Sequence, residues 1–422
     1  MHSVTNAIPT GTIASIPAKA HAHRALICAA LANSPSTILL SRTSKDIDAT
    51  MDSLRGLGAH VVYENKIVTV TPGPAPTKGN VVPHESGTTL RLLLPVAASI
   101  CNDVDVDAKG RLPDRPLEPM LGEMKAHGVT FSQDKPPFTM MGRLQGGNFS
   151  MVGDVSSQFF SGLLLAAPQI GLSTITSTTP LQSSDYVTLT TETMRDFGVE
   201  VEHTLPDTNI NEAFTVPFGA SFIGRDNYQI EGDWSNAAIW MVAAGMTGKP
   251  ITITGMNQTS VQADRRIMQV MIDAGCDVVW DGMNVTVTGR ASKPFHADLE
   301  QMPDMLPVMA ALACSISGES SFVKGARLRL KESDRLVAVT NLVKDLGGTV
   351  REEGDDLYII GSGILKGGHG DCVNDHRLVM AGTLMALISE NPVTLKDSEA
   401  ITKSYPHFFE DWNLLGGNAQ PV

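Results

Sequence analysis

Hydrophobic and polar positions along this chain repeat one pattern six times. An amphipathic helical stretch ends on a small or apolar residue, a glycine follows, and a short alternating strand begins. The pattern reads LRGLGAHV, EMKAHGVTF, MRDFGVEV, MIDAGCDVV, VKDLGGTV and WNLLGGNA. Its glycines are Gly58, Gly128, Gly198, Gly275, Gly347 and Gly416, spaced by 70, 70, 77, 72 and 69 residues. A glycine just past a helix accepts the left-handed backbone that a Cβ resists, so each marks a predicted helix end. The regular spacing predicts one supersecondary unit used six times. Several units run on into a second strand, as in VVYENKIVTVTPG, VVWDGMNVTVTG and VREEGDDLYIIG, with Asn65, Gly282 and Gly354 at the turns.

The sixth unit has few residues after Gly416, whereas VTNAIPTGTIASI has strand-like stretches around Gly11 and no helix before them. These early residues are expected to complete the last unit. The fold class predicted is α/β, with three repeats per domain. One domain is expected over residues 17–227 and the other over 1–16 plus 228–422. Two crossings, near Ser15–Pro17 and Arg225–Gly232, would join them, with a small-molecule cleft between them.

Length agrees with this division, since 422 residues exceed one ordinary core. No apolar run approaches the ~20 residues that span a bilayer, so no membrane is expected. MHSVTNAIPTGTIASI lacks a basic region followed by an apolar one, which predicts no signal peptide and a cytoplasmic location. Five scattered cysteines without a CxxC suit reduced thiols and offer neither a zinc site nor a disulfide framework. A net charge of −13 argues against nucleic acid as a partner. No nucleotide signature or metal-ligand spacing occurs, so neither cofactor nor metal is expected.

Against that acidic background, basic residues gather at a few places. RLRLKESDRL, residues 327–336, alternates Leu328 and Leu330 with charges, which predicts a half-buried strand; a helix then follows, with Ser333 and Asp334 as cap residues. A mixed charge run of this kind usually marks a solvated face. Four other segments feed a polar or glycine-containing turn into an apolar helix: AKAHAHRALICAALA, ESGTTLRLLLPVAA, DVSSQFFSGLLLAAP and NDHRLVMAGTLMAL. Helix starts favour anions, and these carry Lys19 and Arg24, Thr88 and Arg91, Ser156 and Ser157, His376 and Arg377. Taken singly, Thr88, Ser156 and Asp375 read equally well as plain N-caps. Together with Arg115, Lys331, Arg335 and Lys403 the segments suggest a positively lined cleft that focuses an anionic substrate.

These segments resemble the 5-enolpyruvylshikimate-3-phosphate synthase family, in the family's order and over almost the whole chain. The matching stretches are AKAHAHRAL, ESGTTLRLLLP, Arg115–Pro116, DVSSQFFSGLLLAAP, SSDY, EGDWSNAA, QMPDMLPVMAALA, RLRLKESDR, NDHR and TKSYPHFFED. SSQF, KESDR and NDHR together are highly specific. The resemblance implies a two-domain inside-out α/β barrel of six βαβαββ units. It implies a monomeric transferase that moves the enolpyruvyl group of phosphoenolpyruvate to the 5-hydroxyl of shikimate 3-phosphate and releases phosphate.

It also implies residue roles. Asp304 is expected as the base on the attacking hydroxyl and Glu332 as the proton donor to the methylene, with Lys19 assisting. Lys19, Gly87, Arg115, Gln158, Arg335, Arg377 and Lys403 are expected around phosphoenolpyruvate. Arg24, Ser156, Ser157, Gln158, Ser183, Asp304 and Lys331 are expected around shikimate 3-phosphate, with Tyr186 nearby and His376 at the site or supporting it. Arg91, Asp46 and Glu85 read as partners within the cation network. Three positions depart from the family pattern. Ala18-Lys19-Ala20 stands where Ser-Lys-Ser is usual, Arg327 where Asn or Ser is common, and Trp234 and Asn236 replace smaller residues. Trp234 reads either as a hinge-packing anchor or as a plain buried aromatic. A related family that acts on UDP-N-acetylglucosamine carries a cysteine on the loop corresponding to GRLPDRPLEPM, residues 110–120, where this chain has none.

Overall fold

A computed structural model describes residues 1–205 and 211–422. The chain forms two compact units, Pro17–Ile230 and Met1–Ile16 with Glu231–Val422. Each holds three four-stranded sheets, all built to one plan: a parallel pair, then two antiparallel partners. In the sheet holding Gly147–Met151, that strand runs parallel to Ser173–Ser177, which pairs antiparallel with Ala213–Val216, and this with Glu202–Thr204.

The helices follow the same sixfold order. The unit of residues 17–230 contains α1 (Lys19–Ala30), α2 (Lys45–Gly56), α3 (Gly87–Ile100), α4 (Met120–Ala126), α5 (Ser157–Ile170) and α6 (Asp185–Asp196). The other unit contains α7 (Trp234–Thr247), α8 (Ile267–Asp273), α9 (Leu306–Cys314), α10 (Arg335–Asp345), α11 (His376–Met385) and α12 (Phe408–Leu414).

The first helix of each repeat is apolar on nearly all sides, and a helix of that kind must be buried. α1, α3 and α5 pack on one another in one unit, and α7, α9 and α11 in the other. The sheets lie outside them, each strand burying alternate residues, as in Ser36–Leu39 and Ile251–Thr254. Trp234, Trp240 and Trp412 are at most 2% exposed within the core of residues 231–422. Trp234 is thus a buried aromatic of that unit, its Nε1 donating to the Asn257 carbonyl at 3.3 Å.

Each of the six repeat glycines has a positive φ, from 87° at Gly347 to 104° at Gly58. Asn65, Gly282 and Gly354 occupy hairpin turns with φ of 52°, 58° and 63°. The early residues complete two sheets. His2–Val4 lies between Val393–Lys396 and Ala419–Pro421, as the sixth repeat requires, while Gly11–Ala14 runs parallel to Ile251–Thr254 in the fourth.

One expected element is absent. Residues 326–330 form a turn of 3-10 helix, so Leu328 and Leu330 do not alternate across a strand. Leu328 is fully buried while Leu330 is 45% exposed. The turn tightens the chain ahead of α10, whose N-cap is Asp334, accepting from Val337 N at 3.3 Å.

Candidate functional site

In the unit of residues 17–230, helix starts meet one another. The Gln158 side chain at the start of α5 donates to Thr88 Oγ1 of α3 at 2.9 Å and accepts from Arg91 Nη1 at 3.0 Å. Arg91 also donates to the Pro116 carbonyl at 3.0 Å, which ties α3 to the segment carrying Arg115. Gly87 is the first residue of α3, and a Cβ there would lie 2.6 Å from Arg115 Nη1. The missing side chain is what lets the guanidinium reach the helix start. Ser86 and Ser156 cap α3 and α5, accepting from Thr89 N at 3.2 Å and Gln158 N at 3.3 Å.

α1 differs. Its N-cap is Ala18, whose side chain makes no cap hydrogen bond. Lys19 Nζ pairs with Asp46 Oδ2 at 2.8 Å, and the two side chains keep 19% and 13% of their surface exposed.

One turn further on, Arg24 is 1% exposed. It donates to Thr190 Oγ1, Ser161 Oγ and the carbonyls of Ala20 and Tyr186 at 2.7–3.3 Å. None of these partners is a carboxylate. Burial lowers this guanidinium to about 10. Ser157 and Ser183 are 3% and 2% exposed. Ser183 has φ 54°, a left-handed backbone that costs a non-glycine residue about 1–2 kcal/mol. Strain of this kind points to a position held for use.

In the unit of residues 231–422, Arg335 is the centre. Its side chain is 1% exposed and touches three carboxylates. Nη1 meets Asp304 Oδ1 at 2.7 Å, Nη2 meets Glu332 Oε2 at 2.7 Å, and Nε meets Asp375 Oδ2 at 2.8 Å. Lys331 Nζ lies 3.0 Å from the same Asp304 oxygen. Burial works to raise the Asp304 carboxyl, but Lys331, Arg335 and Arg377 outweigh it and hold it well below the usual carboxylate range. Burial likewise lowers Lys331, with Asp304 opposing. Arg335 is driven up by its three acids in spite of burial. Asp304 and Glu332 expose 27% and 23% of their side chains, whereas Asp375 exposes none.

Asp375 is more than the N-cap the sequence suggests. Besides Arg335 it accepts from Ser333 Oγ at 3.0 Å and from Arg377 N at 2.9 Å. The residues before it, Val373 and Asn374, have φ of 41° and 54°, and the Asn374 carbonyl accepts from Lys403 Nζ at 2.7 Å. A β-branched residue in that region is a true outlier. The turn therefore positions a cap, a cation anchor and α11 together. His376 is buried, with Nδ1 at 3.8 Å from Asp375 Oδ1. Arg377 Nη1 donates to the Ser235 carbonyl at 3.1 Å, joining the starts of α11 and α7.

Within one unit Asp304, Lys331, Glu332, Arg335, Arg377 and Lys403 are connected directly or through Asp375, Ser235 or Asn374. Within the other, Gly87, Arg115 and Gln158 lie together, Arg24 meets the Tyr186 backbone, and Lys19 meets Asp46, whose carbonyl accepts from Thr89 Oγ1 of α3 at 3.3 Å. Sequence reasoning passed over Ser161, Thr190 and Ser235 and read Ser333 only as a cap; all four are ordinary hydroxyls whose roles come from distant partners. Among the described residues, no group of three or more His, Cys, Asp or Glu side chains is placed to hold a metal. A cavity of about 150 Å³, lined by Leu31, Leu54, Leu57, Val96 and Ile100 among others, lies at the far ends of α1, α2 and α3 and includes none of these residues. No helix among the described residues is long and apolar enough to cross a membrane.

The family described as EPSP synthase (3-phosphoshikimate 1-carboxyvinyltransferase) matches residues 7–412. A 3-phosphoshikimate 1-carboxyvinyltransferase of Clostridium kluyveri is 36% identical, over 96% of this chain and 95% of that protein. One of Methanocorpusculum labreanum is 34% identical over 97% of each chain. An EPSP synthase structure from Acinetobacter baumannii has the same fold, with a TM-score of 0.81 at 22% identity, covering 100% of this chain and 99% of that one. The inside-out arrangement, helices within and sheets without, is the fold that the resemblance implies. On the family match and on the identity to these relatives, the chain belongs to the EPSP synthase family.

Proposed function

We propose that this chain transfers the enolpyruvyl group of phosphoenolpyruvate to the 5-hydroxyl of shikimate 3-phosphate and releases phosphate, in aromatic amino-acid biosynthesis. The observation that carries the reading is Arg335, shared by Asp304, Glu332 and the fully buried Asp375. A base, an acid and a cation for a substrate anion are thereby held within one hydrogen-bonded group.

The phosphoenolpyruvate ligands are Lys19, Gly87, Arg115, Gln158, Arg335, Arg377 and Lys403. Arg is suited to a carboxylate because its fork binds two oxygens at once. Shikimate 3-phosphate is held by Arg24, Ser156, Ser157, Gln158, Ser183, Asp304 and Lys331. Arg24 supports this assignment, since a buried guanidinium without an acidic partner is costly unless an anion joins it.

The chemistry follows from competition for Arg335. An arriving carboxylate displaces the partly exposed Glu332 or Asp304, because Asp375 is enclosed. A carboxylate parted from its cation takes a proton more readily. Glu332 then delivers that proton to C3 of phosphoenolpyruvate. The 5-hydroxyl oxygen bonds to C2, and its proton passes to Asp304. Glu332, now a carboxylate, takes back a proton from the new methyl group as the C–O bond to phosphate breaks, which restores the double bond and frees phosphate. Lys19, with Arg115 and the remaining cations, balances the charge that develops.

The family resemblance supports a monomer. Five buried, unbridged thiols support a reducing, cytoplasmic setting. The test is phosphorus NMR of the purified protein with both substrates and no added metal. Loss of the phosphoenolpyruvate signal, matched by free phosphate and a new phosphate ester, is expected. Unchanged spectra with phosphoenolpyruvate still bound would remove shikimate 3-phosphate as the acceptor.

A further inference from the structure

Asp264 belongs to none of the motifs above, yet it is 1% exposed beside the site cations. It sits in the 3-10 turn Ala263–Arg266, which packs against α7. Its Oδ2 accepts a hydrogen bond from the Ser235 hydroxyl. The carbonyl of the same Ser235 accepts from Arg377 Nη1 at 3.1 Å. Ser235 thus has Asp264 on its side chain and Arg377 on its backbone. Arg377 Nε is buried without a hydrogen-bond partner among the described residues, so this guanidinium retains capacity for an anion.

The charged groups that face Asp264 are few. Asp304 comes from the turn Pro303–Met305, Arg377 from α11, and Asp233 from the cap of α7, which itself carries no titratable side chain. Of its own turn, Arg265 is bonded to the Gln258 carbonyl and Arg266 to that of Ala263. α8 carries only Asp273, at its far end. Burial, with Asp304 adding to it and Arg377 opposing, pushes the Asp264 carboxyl up to about 6.

We propose that Asp264 is a positioning residue whose carboxylate counterbalances Arg377 until a substrate anion arrives, and which takes up one proton when that anion occupies the guanidinium. The proton comes from solvent, the O–H bond it forms on the carboxylate is the only covalent change, and the cluster avoids holding an added anion against two carboxylates at once. This rests on the reading of Arg377 as a phosphoenolpyruvate ligand. The consequence is a pH-dependent affinity: with Asp264 ionised the anion binds less well, and with Asp264 neutral it binds better.

The experiment measures the KM for phosphoenolpyruvate, with shikimate 3-phosphate saturating, from about pH 5.5 to about pH 8.5 in the wild type and in Asp264→Asn. The ratio of the two constants cancels the titration of the substrate's own phosphate. We expect the wild-type KM to equal that of the variant near the acid end and to exceed it by about tenfold near the alkaline end, the factor that one pKa unit supplies. A ratio that does not change with pH, or a variant with the higher KM throughout, overturns the proposal, since a purely structural Asp264 would behave in one of those ways. Should D264N not fold, Ser235→Ala removes the hydrogen bond that favours the ionised carboxyl and leaves the carbonyl on Arg377. It is expected to lower the KM near neutral pH, and an unchanged KM would overturn the proposal equally. If the wild type turns over neither substrate, the proposed function fails. Inorganic phosphate then serves as the probe, its Kd ratio between wild type and D264N replacing the KM ratio with the same two outcomes.

Discussion

Arg335 and Asp375 are joined through Nε and Oδ2 at 2.8 Å, and neither side chain exposes more than 1% of its surface. The other oxygen of that carboxylate accepts the backbone N–H of Arg377. One acid therefore fixes two arginines on two helices. Removing one partner of a buried ion pair costs about 3–5 kcal/mol, because the other is left uncompensated. Asp375→Ala is expected to lose that much in urea unfolding, and Asp375→Asn, which keeps the cap, less. A loss below about 1 kcal/mol in the alanine variant would show that Asp304 and Glu332 alone satisfy Arg335.

Glu332 and Asp304 are expected to matter for turnover more than for binding. Proton transfer by a placed side chain contributes about 10²–10⁴-fold. Glu332→Gln and Asp304→Ala should each lower kcat within that range while the Kd of shikimate 3-phosphate changes far less. Near-normal kcat in either variant removes that residue from the mechanism.

Gly87→Ala tests the approach of Arg115. The added Cβ would fall 2.6 Å from Nη1 and 2.9 Å from Cζ, so the guanidinium must shift. The fold has room to respond, because the colliding atoms end a flexible side chain. The KM for phosphoenolpyruvate should rise by about tenfold to a hundredfold, the range of one charge-assisted hydrogen bond, with kcat changed less. An unaltered KM would mean that Arg115 does not bind the substrate from this position.

Ser183 carries its strain into a prediction. Glycine adopts φ 54° without the Cβ penalty, whereas alanine does not. Ser183→Gly should be more stable than Ser183→Ala by about 1 kcal/mol in thermal unfolding, while both weaken shikimate 3-phosphate binding to a similar degree. Equal stability would show that the surrounding turn relaxes.

Within α1, His21 is 8% exposed and bonded to the Tyr228 hydroxyl at 2.8 Å. Burial, helped by Arg24, lowers it from 6.5 to about 4. The unfolded chain therefore binds more protons than the folded one between those values, and stability falls as pH drops through the window. Comparing wild type with His21→Gln isolates this from Asp264, which acts with opposite sign at similar pH. The difference in unfolding free energy should change by up to about 3 kcal/mol from pH 7 to pH 4, and a constant difference would place His21 in water.

The legibility of this protein follows the range of its interactions. The sixfold glycine spacing and the buried first helices are local patterns, and they carried the architecture. KESDR was legible as a charge cluster because Glu332 and Arg335 lie one helical turn apart. The strand expected at Arg327–Leu330 was not there, because alternation over four residues cannot be told from a tight turn when the tertiary packing buries only Leu328. Asp375 read as a cap because Arg335 lies 40 residues away in sequence. Asp264 and Ser235 gave no signal, since neither VQADRR nor DWSNAA shows the chemistry that Arg377 brings to them across the fold.

His2–Val4 takes the third place in its sheet, between strands at residues 393–396 and 419–421. During synthesis those three residues emerge long before the partners they pair with. The unit of residues 17–230 needs nothing beyond Ile230 to close its sheets, so it can fold on the ribosome while the rest is still being made. The other unit, which holds Asp304, Glu332 and Arg335, closes its last sheet only after translation has passed residue 421. The cluster read here as acid and base thus gains its complete fold later than the unit of residues 17–230, and a chain lacking residues 419–421 would leave an open sheet edge beside His2–Val4.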